Sequence, residues 1–151
     1  MLQWPDVIRR CVELRCVEML QERSRKHVDV IIAEGVGEGR ARRDASERAL
    51  AELLDNAVRH ARTTVRITAD IDGEELCVRI ADDGPGLPNG GLDPFAPPRQ
   101  LASRVGFGLW LVDRLAAMLH GSVGVERTGG DGTVMWLRIP VLARVDGTPA
   151  G

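Results

Sequence analysis

The sequence predicts an α/β two-layer sandwich, in which a mixed, largely antiparallel sheet carries helices on one face. Two observations support this. Helical and strand periodicities follow each other in the order helix, two strands, helix, two strands, long loop, helix, two strands. The strand pairs have hairpin spacing, which favours one sheet under a helical layer over a doubly wound parallel fold. The chain has 151 residues, 44% hydrophobic and 28% charged, with a formal net charge of −2. That is the size and balance of one soluble globular domain, able to bury roughly two-thirds of its unfolded surface.

Each element has its own signal. Pro5 suits the first turn of a helix. Val7, Ile8, Cys11, Val12, Leu14, Val17, Met19 and Leu20 then form a helical stripe to about Gln21. Residues 27–33 are β-rich, Gly35, Gly37 and Gly39 mark a turn, and residues 40–43 are expected as a second short strand. Asp44, with Glu47 three residues later, gives a capping-box-like start. The helix it opens runs to about Ala61 with Ala49, Leu50, Leu53, Leu54, Ala57 and Val58 as its apolar side. Val65, Ile67, Ala69 and Ile71 alternate with polar residues, Asp72-Gly73 turns, and residues 76–80 alternate back. Asp82 to Arg104 holds five prolines and four glycines, too long for a simple connector and so a functional loop. A helix over residues 108–120 and strands over 122–127 and 133–140 complete the domain at 1–142. The tail from residue 143 is expected to be disordered.

Composition also excludes classes of function. A pI near 5.9 gives no overall attraction to nucleic acid or anionic membrane. No apolar stretch approaches the roughly 20 residues of a membrane span, and the charged N-terminus is not a signal peptide. Cys11, Cys16 and Cys77 form no CxxC pair, which argues against a disulfide framework or a zinc site and fits reduced thiols in a cytoplasmic chain. Lys26 is the single lysine, so a basic group at a site is expected to be an arginine. Eleven of the 17 glycines fall between Gly84 and Gly132, placing most special backbone in the second half.

Four groupings carry chemistry. Glu52, Asn56, Arg59 and His60 are spaced to share one side of a helix. Carboxylate, amide, guanidinium and imidazole together suit a hydrated magnesium ion and a polyphosphate, because magnesium keeps several waters and needs few protein ligands. Asp82-Asp83-Gly84-Pro85-Gly86 follows a strand, where a carboxylate can accept from an exocyclic amine while the glycines admit a planar base. Gly106-Phe107-Gly108-Leu109 opens a helix whose free N–H groups suit an anion. It is neither a Rossmann fingerprint nor a Walker A loop. Gly130-Asp131-Gly132-Thr133 precedes the last strand. Taken singly, each has an ordinary reading as a polar helix face, a turn, a helix start or a hairpin.

Their order is the specific signal. Glu-x-x-x-Asn, Asp-x-Gly-x-Gly, Gly-x-Gly-Leu and Gly-x-Gly-Thr in succession resemble the Bergerat-type ATP-binding fold of gyrase, heat-shock chaperones, mismatch-repair ATPases and sensor histidine kinases. The chain is most similar to the catalytic and ATP-binding domain of the sensor kinases, since residues 4–33 and the Asp93-Pro94-Phe95 box match that branch. The resemblance implies ATP and Mg2+ as cofactors. It implies that Asn56 ligates magnesium, that Arg59 meets phosphate with help from His60, and that Asp82 accepts the adenine amino group beside Gly84 and Gly86. It further implies phosphates at Gly106, Gly108 and Leu109, an adenine pocket lined by Thr133, and a lid near residues 90–105 with Arg99 as a phosphate contact. Glu52 stands where many such kinases carry asparagine, which leaves slow hydrolysis open as a side activity.

None of His27, His60 and His120 fits the histidine-before-acid pattern of the phosphoacceptor in this family. The implied activity is therefore ATP-dependent histidine kinase catalysis on a separate, histidine-containing dimerisation domain, with a response regulator as an indirect partner. No nucleic-acid or membrane contact by this segment is expected. A stand-alone anti-sigma-factor-type serine kinase and a nucleotide-gated interaction module are the alternatives, and a Glu52-driven ATPase is a third.

Overall fold

The structure is a computed structural model describing residues 1–87, 93–97 and 107–141. The expectations for Arg99, Gly106, the tail from residue 143 and most of the lid at 90–105 lie outside the described residues. Along the chain run β1 (Leu2–Gln3), α1 (Trp4–Gln21), β2 (His27–Ile32), β3 (Glu38–Gly39) and α2 (Arg43–His60). Then come β4 (Thr64–Asp72), β5 (Glu75–Asp82), α3 (Phe107–Met118), β6 (Ser122–Gly129) and β7 (Gly132–Pro140).

Strand alternation builds the core. Five strands form one sheet in the order β2-β4-β5-β7-β6, with β2–β4 parallel and the other pairings antiparallel. The registers align Val30, Ile67, Ile80, Met135 and Val125 in one row, and Ile32, Ala69, Val78, Leu137 and Val123 in the next. Side chains alternate between faces with period two, so both rows lie on one face. Helix residues complete that layer. Trp4, Val7 and Ile8 of α1, Leu50, Leu53 and Leu54 of α2, and Val112 and Leu115 of α3 share one buried cluster with it. All three helices thus cover the same face, as the sequence predicts.

The row at one end differs. Val28, Val65, Asp82, Thr133 and Thr128 line up there, so the helix-facing side turns polar where β5 and β6 end and β7 begins. The opposite face is a grid of charges. Arg79 lies 3.7 Å from Asp70 and 3.1 Å from Glu126, and Arg138 lies 3.2 Å from Asp72, its guanidinium 5.8 Å from the Trp136 ring centre. Three free thiols remain in the fold. Burial, with Glu47 nearby, pushes the Cys11 thiol up to about 11, so it stays protonated at neutral pH.

Several local expectations are corrected. The short strand expected at 40–43 is instead β3, which pairs with the unpredicted β1, Leu2 opposite Gly39. β2 does not turn back on a hairpin partner but pairs in parallel with β4 across α2. The start of α2 lacks a side-chain cap: Arg42 holds the cap position. Asp44 accepts from the adjacent Ala45 N–H at 2.8 Å and from Arg42 at 2.9 Å. Helix α3 ends two residues before the expected 120. His120 takes a left-handed φ of 58°, and the Gly121 N–H reaches the Ala116 carbonyl at 2.8 Å, a Schellman ending with histidine in place of the usual glycine. Arg23 closes α1 the same way, at φ 57°. α2 ends differently. Lys26 Nζ donates to the Val58 carbonyl at 2.7 Å, a cation on the orphan carbonyls where the helix dipole is negative.

Candidate functional site

The polar end row holds two of the predicted residues, Asp82 and Thr133, and the loop after β5 links it to His60 on α2. β5 terminates at Asp82, whose Oδ1 accepts the Gly84 N–H at 2.9 Å. Oδ2 has no donor among the described residues. Thr133 is the cross-strand partner of Asp82 and is buried, its hydroxyl 2.8 Å from that of Thr128. Thr128 also accepts the Leu87 N–H at 2.8 Å, which ties the loop after β5 to the β6–β7 hairpin.

Gly84 is required by close approach. A Cβ there would lie 2.1 Å from the carbonyl oxygen of His60, so a side chain would drive the loop away from the last turn of α2. Gly86, further along, lies against the Gly129 carbonyl. The loop is thus wedged between the end of α2 and the hairpin, with Asp82 at its root.

On α2, Asn56 is only 6% exposed, and its amide has no hydrogen-bond partner among the described residues. His60 Nδ1 lies 2.8 Å from the Asn56 carbonyl. A carbonyl only accepts, so Nδ1 carries the proton and Nε2 is the acceptor in the neutral ring. Glu52 accepts from Arg48 at 2.9 Å, and its Oε2 would lie 2.7 Å from a Cβ on Gly108. The beginning of α3 therefore rests on Glu52. Leu109 is buried in the main cluster. Asp93 accepts the Phe95 N–H at 3.0 Å, and Phe95 packs into the same cluster. Arg59 stands apart from this series, since it is 55% exposed and lies 3.2 Å from Asp55.

Two residues of this region carry jobs that the sequence reading did not assign. Thr128 is one; its mirror position to Thr133 across the Gly130-Asp131 turn was the available signal. Asp83 is the other. It accepts the backbone N–H groups of Arg62, Thr63 and Thr64 at 2.8 to 3.1 Å, and the Thr63 hydroxyl as well. These donors hold its carboxyl well below the usual carboxylate range, the Thr63 hydroxyl bond first among them. Adjacent aspartates thus divide the work. Asp83 braces the α2–β4 junction, and Asp82 faces the helix layer.

A pH dependence follows. With the folded-state pKa depressed, the unfolded chain takes up this proton first, so the contribution is complete above the ordinary carboxylate pKa of about 4. It is lost as pH falls below that toward the depressed folded value. The melting-temperature gap between the unaltered chain and Asp83→Asn should therefore be widest at pH 6 to 7 and shrink steadily below pH 4. A gap independent of pH would remove Asp83 from this role.

Comparison with known proteins gives a consistent answer. Residues 41–143 match the family described as histidine kinase-, DNA gyrase B-, and HSP90-like ATPase. Sensor protein KdpD of Mycobacterium tuberculosis (strain CDC 1551 / Oshkosh) is 32% identical over 106 residues, 64% of this chain and 12% of that protein. Sensor protein CreC of Escherichia coli (strain K12) is 26% identical over 144 residues, 88% of this chain and 29% of that protein. The chain thus spans less than a third of either relative. Among solved structures, full-length ShkA in complex with AMPPNP superposes with a TM-score of 0.79 at 26% identity, over 92% of this chain and 30% of that one. The catalytic domain of histidine kinase ThkA gives 0.73 at 19% identity, over 93% and 95%.

Fold and family match together define an ATP-binding domain of the Bergerat type. The chain belongs to the histidine kinase-, DNA gyrase B- and HSP90-like ATPase family, and within it the likeness is to sensor histidine kinases. No helix among the described residues is long and apolar enough to cross a membrane.

Proposed function

We propose that this chain binds Mg-ATP and delivers the γ-phosphoryl group to a histidine on a separate dimerisation domain, from which a response regulator would receive it. The observation that supports this most is the run of contacts from Asp82 through Gly84 to His60 and Asn56. It joins the Asp82 carboxylate, through the loop at Gly84, to the last turn of α2 that follows Asn56. Asp82 would accept the adenine amino group, Thr133 would line the base pocket, and Gly84 and Gly86 would let backbone approach the ring. Gly106 and Gly108 would present N–H groups to phosphate at the start of α3, and Arg59 and Arg99 would add charge.

The donor set fits magnesium held mainly by phosphate. No cluster of three acidic, histidine or cysteine side chains exists among the described residues, so a cage made by protein alone is absent there. The Asn56 amide, unengaged among the described residues, can supply one oxygen, which suffices for an ion that keeps its waters and phosphate ligands. Bound there, the ion would offset charge on the transferring group. The transfer itself breaks the bond from γ-phosphorus to the β-bridging oxygen, forms a bond from phosphorus to the acceptor ring nitrogen, and releases ADP. The protein's part is positioning and charge stabilisation. The chain's own histidines have other work, which agrees with an acceptor elsewhere. His27 pairs with Asp29 at 2.7 Å, His60 bonds Asn56, and His120 ends α3.

Incubating the chain with γ-labelled ATP and a dimerisation domain tests the reading, and label must appear on the acceptor histidine. Tight Mg-ATP binding without transfer to any acceptor would leave a binding module in its place. Asn56→Ala should bind ATP with nearly the same affinity with and without magnesium, whereas the unaltered chain should bind several-fold more tightly with it. Calorimetry in magnesium and in EDTA decides this, and a surviving magnesium dependence would free Asn56 of the metal.

A further inference from the structure

Arg59 pairs with the Asp55 carboxylate. The two oxygens of Asp55 are divided: Oδ1 lies 3.4 Å from Arg15 Nε on α1, and Oδ2 lies 3.2 Å from Arg59 Nε. The two arginines are not equivalent. Arg15 is only 8% exposed and is also held by Glu18 and Glu22, each at 3.3 Å. Arg59 is mostly exposed, and Asp55 is the single ion-pair partner of its guanidinium among the described residues. Arg15 is therefore the fixed half of the arrangement and Arg59 the half that can leave.

Helix geometry gives Arg59 somewhere to go. It stands four residues after Asp55 and three after Asn56, and residues three and four apart are neighbours on a helix surface. The same side chain can therefore lie toward Asp55 and α1, or toward Asn56 and the candidate phosphate region. An exposed carboxylate–guanidinium pair is weak, whereas a polyphosphate offers several charge-assisted acceptors. The exchange thus runs downhill when a polyphosphate arrives.

We propose that Asp55 is a positioning residue that holds Arg59 on the α1 side, and that Mg-ATP binding replaces Asp55 by phosphate as the anion of Arg59. This rests on the reading of Arg59 as a phosphate contact. Arg15 sets the strength of the hold, because it draws one Asp55 oxygen and leaves Arg59 only the other. α1 thereby acts on the nucleotide site without touching it.

The test is calorimetric titration of the unaltered chain, Asp55→Asn, Arg59→Gln and the double variant with Mg-ATP, Mg-ADP and adenosine. Asp55→Asn is isosteric and leaves Arg15 with Glu18 and Glu22, and a melting curve checks its fold. It should tighten Mg-ATP about two- to five-fold, the scale of an exposed ion pair. The gain should be smaller for Mg-ADP, absent for adenosine, and abolished when Arg59 is already glutamine. A purely structural Asp55 would move all three ligands alike. Unchanged or weakened Mg-ATP binding, or a gain that persists without Arg59, overturns the exchange. If the unaltered chain binds no Mg-ATP at all, the nucleotide reading falls and the exchange falls with it. Binding with no Asp55 effect removes only the exchange.

Discussion

Asp82→Asn should weaken ATP binding roughly 10- to 100-fold, the range for losing a hydrogen bond to a charged group, while leaving the fold in place. The expectation follows from how the carboxylate is shared. Oδ1 is committed to the Gly84 N–H at 2.9 Å, and the carbonyl oxygen of an asparagine can keep that bond. Its amide nitrogen must then take the place of Oδ2, and a donor would face the amino group that Oδ2 is proposed to accept. Two donors repel and both lose water, so the effect exceeds simple loss of the contact. Calorimetry with Mg-ATP gives the affinity, and a melting curve shows whether the loop still closes on α2. An affinity within two-fold of the unaltered chain would place adenine elsewhere.

Gly132→Ala should be the most destabilising single-methyl change in the β6–β7 hairpin, at about 2 to 5 kcal/mol. Gly132 has φ of 123°, outside the range that side chains accept, and a Cβ there would lie 1.9 Å from the Asp82 carbonyl oxygen. The backbone conformation costs an L residue about 1 to 2 kcal/mol, and forcing β5 from β7 adds about 1 to 3 more. For a domain of this size the midpoint should fall by roughly 5 to 15 °C. Gly130, two residues earlier, has open space around its Cβ position, so Gly130→Ala should change little and serves as the control. Because Asp82 pairs with Thr133, Gly132→Ala should also weaken nucleotide binding. Equal midpoints for the two variants would show that the strands yield at no cost.

The residues that build the layers were legible before any coordinates. Val65, Ile67 and Ala69 alternate because one face of β4 is buried, and Leu50, Leu53, Leu54 and Ala57 recur at helical spacing because one side of α2 is buried. Both patterns come from local chain geometry. Partner choice is not local, and the parallel register of His27 with Thr64 leaves no mark that distinguishes β2 from half of a hairpin. The end of α3, expected at residue 120, falls instead at Met118. His120 takes the left-handed position, and Gly121 is needed instead because a Cβ there would lie 2.0 Å from the Arg138 carbonyl oxygen. At the candidate site, Asp82 and Asn56 stand out from their residue types and places on a strand end and a helix face, whereas Thr133 enters only through the family resemblance. The division of Asp55 between two arginines depends on where α1 packs, and nothing in the α2 segment alone records it.

The sheet joins its strands by two kinds of closure. The β4–β5 and β6–β7 pairs are hairpins, whereas β2–β4 and β5–β7 each pair across a long excursion, the first containing β3 and α2 and the second the lid, α3 and β6. Those two excursions hold Glu52, Asn56 and Arg59 in one case and Gly108 in the other. The cost of closing a flexible loop rises only logarithmically, by about 0.6 kcal/mol for each doubling of length. Only the connection from Asp82 to α3 is subject to that small closure cost, because α3 is packed in the core and β6 is paired with β7. Length can thus vary most cheaply in the connection beside the proposed nucleotide site, while Asp82 and Thr133 are held by the sheet as cross-strand partners.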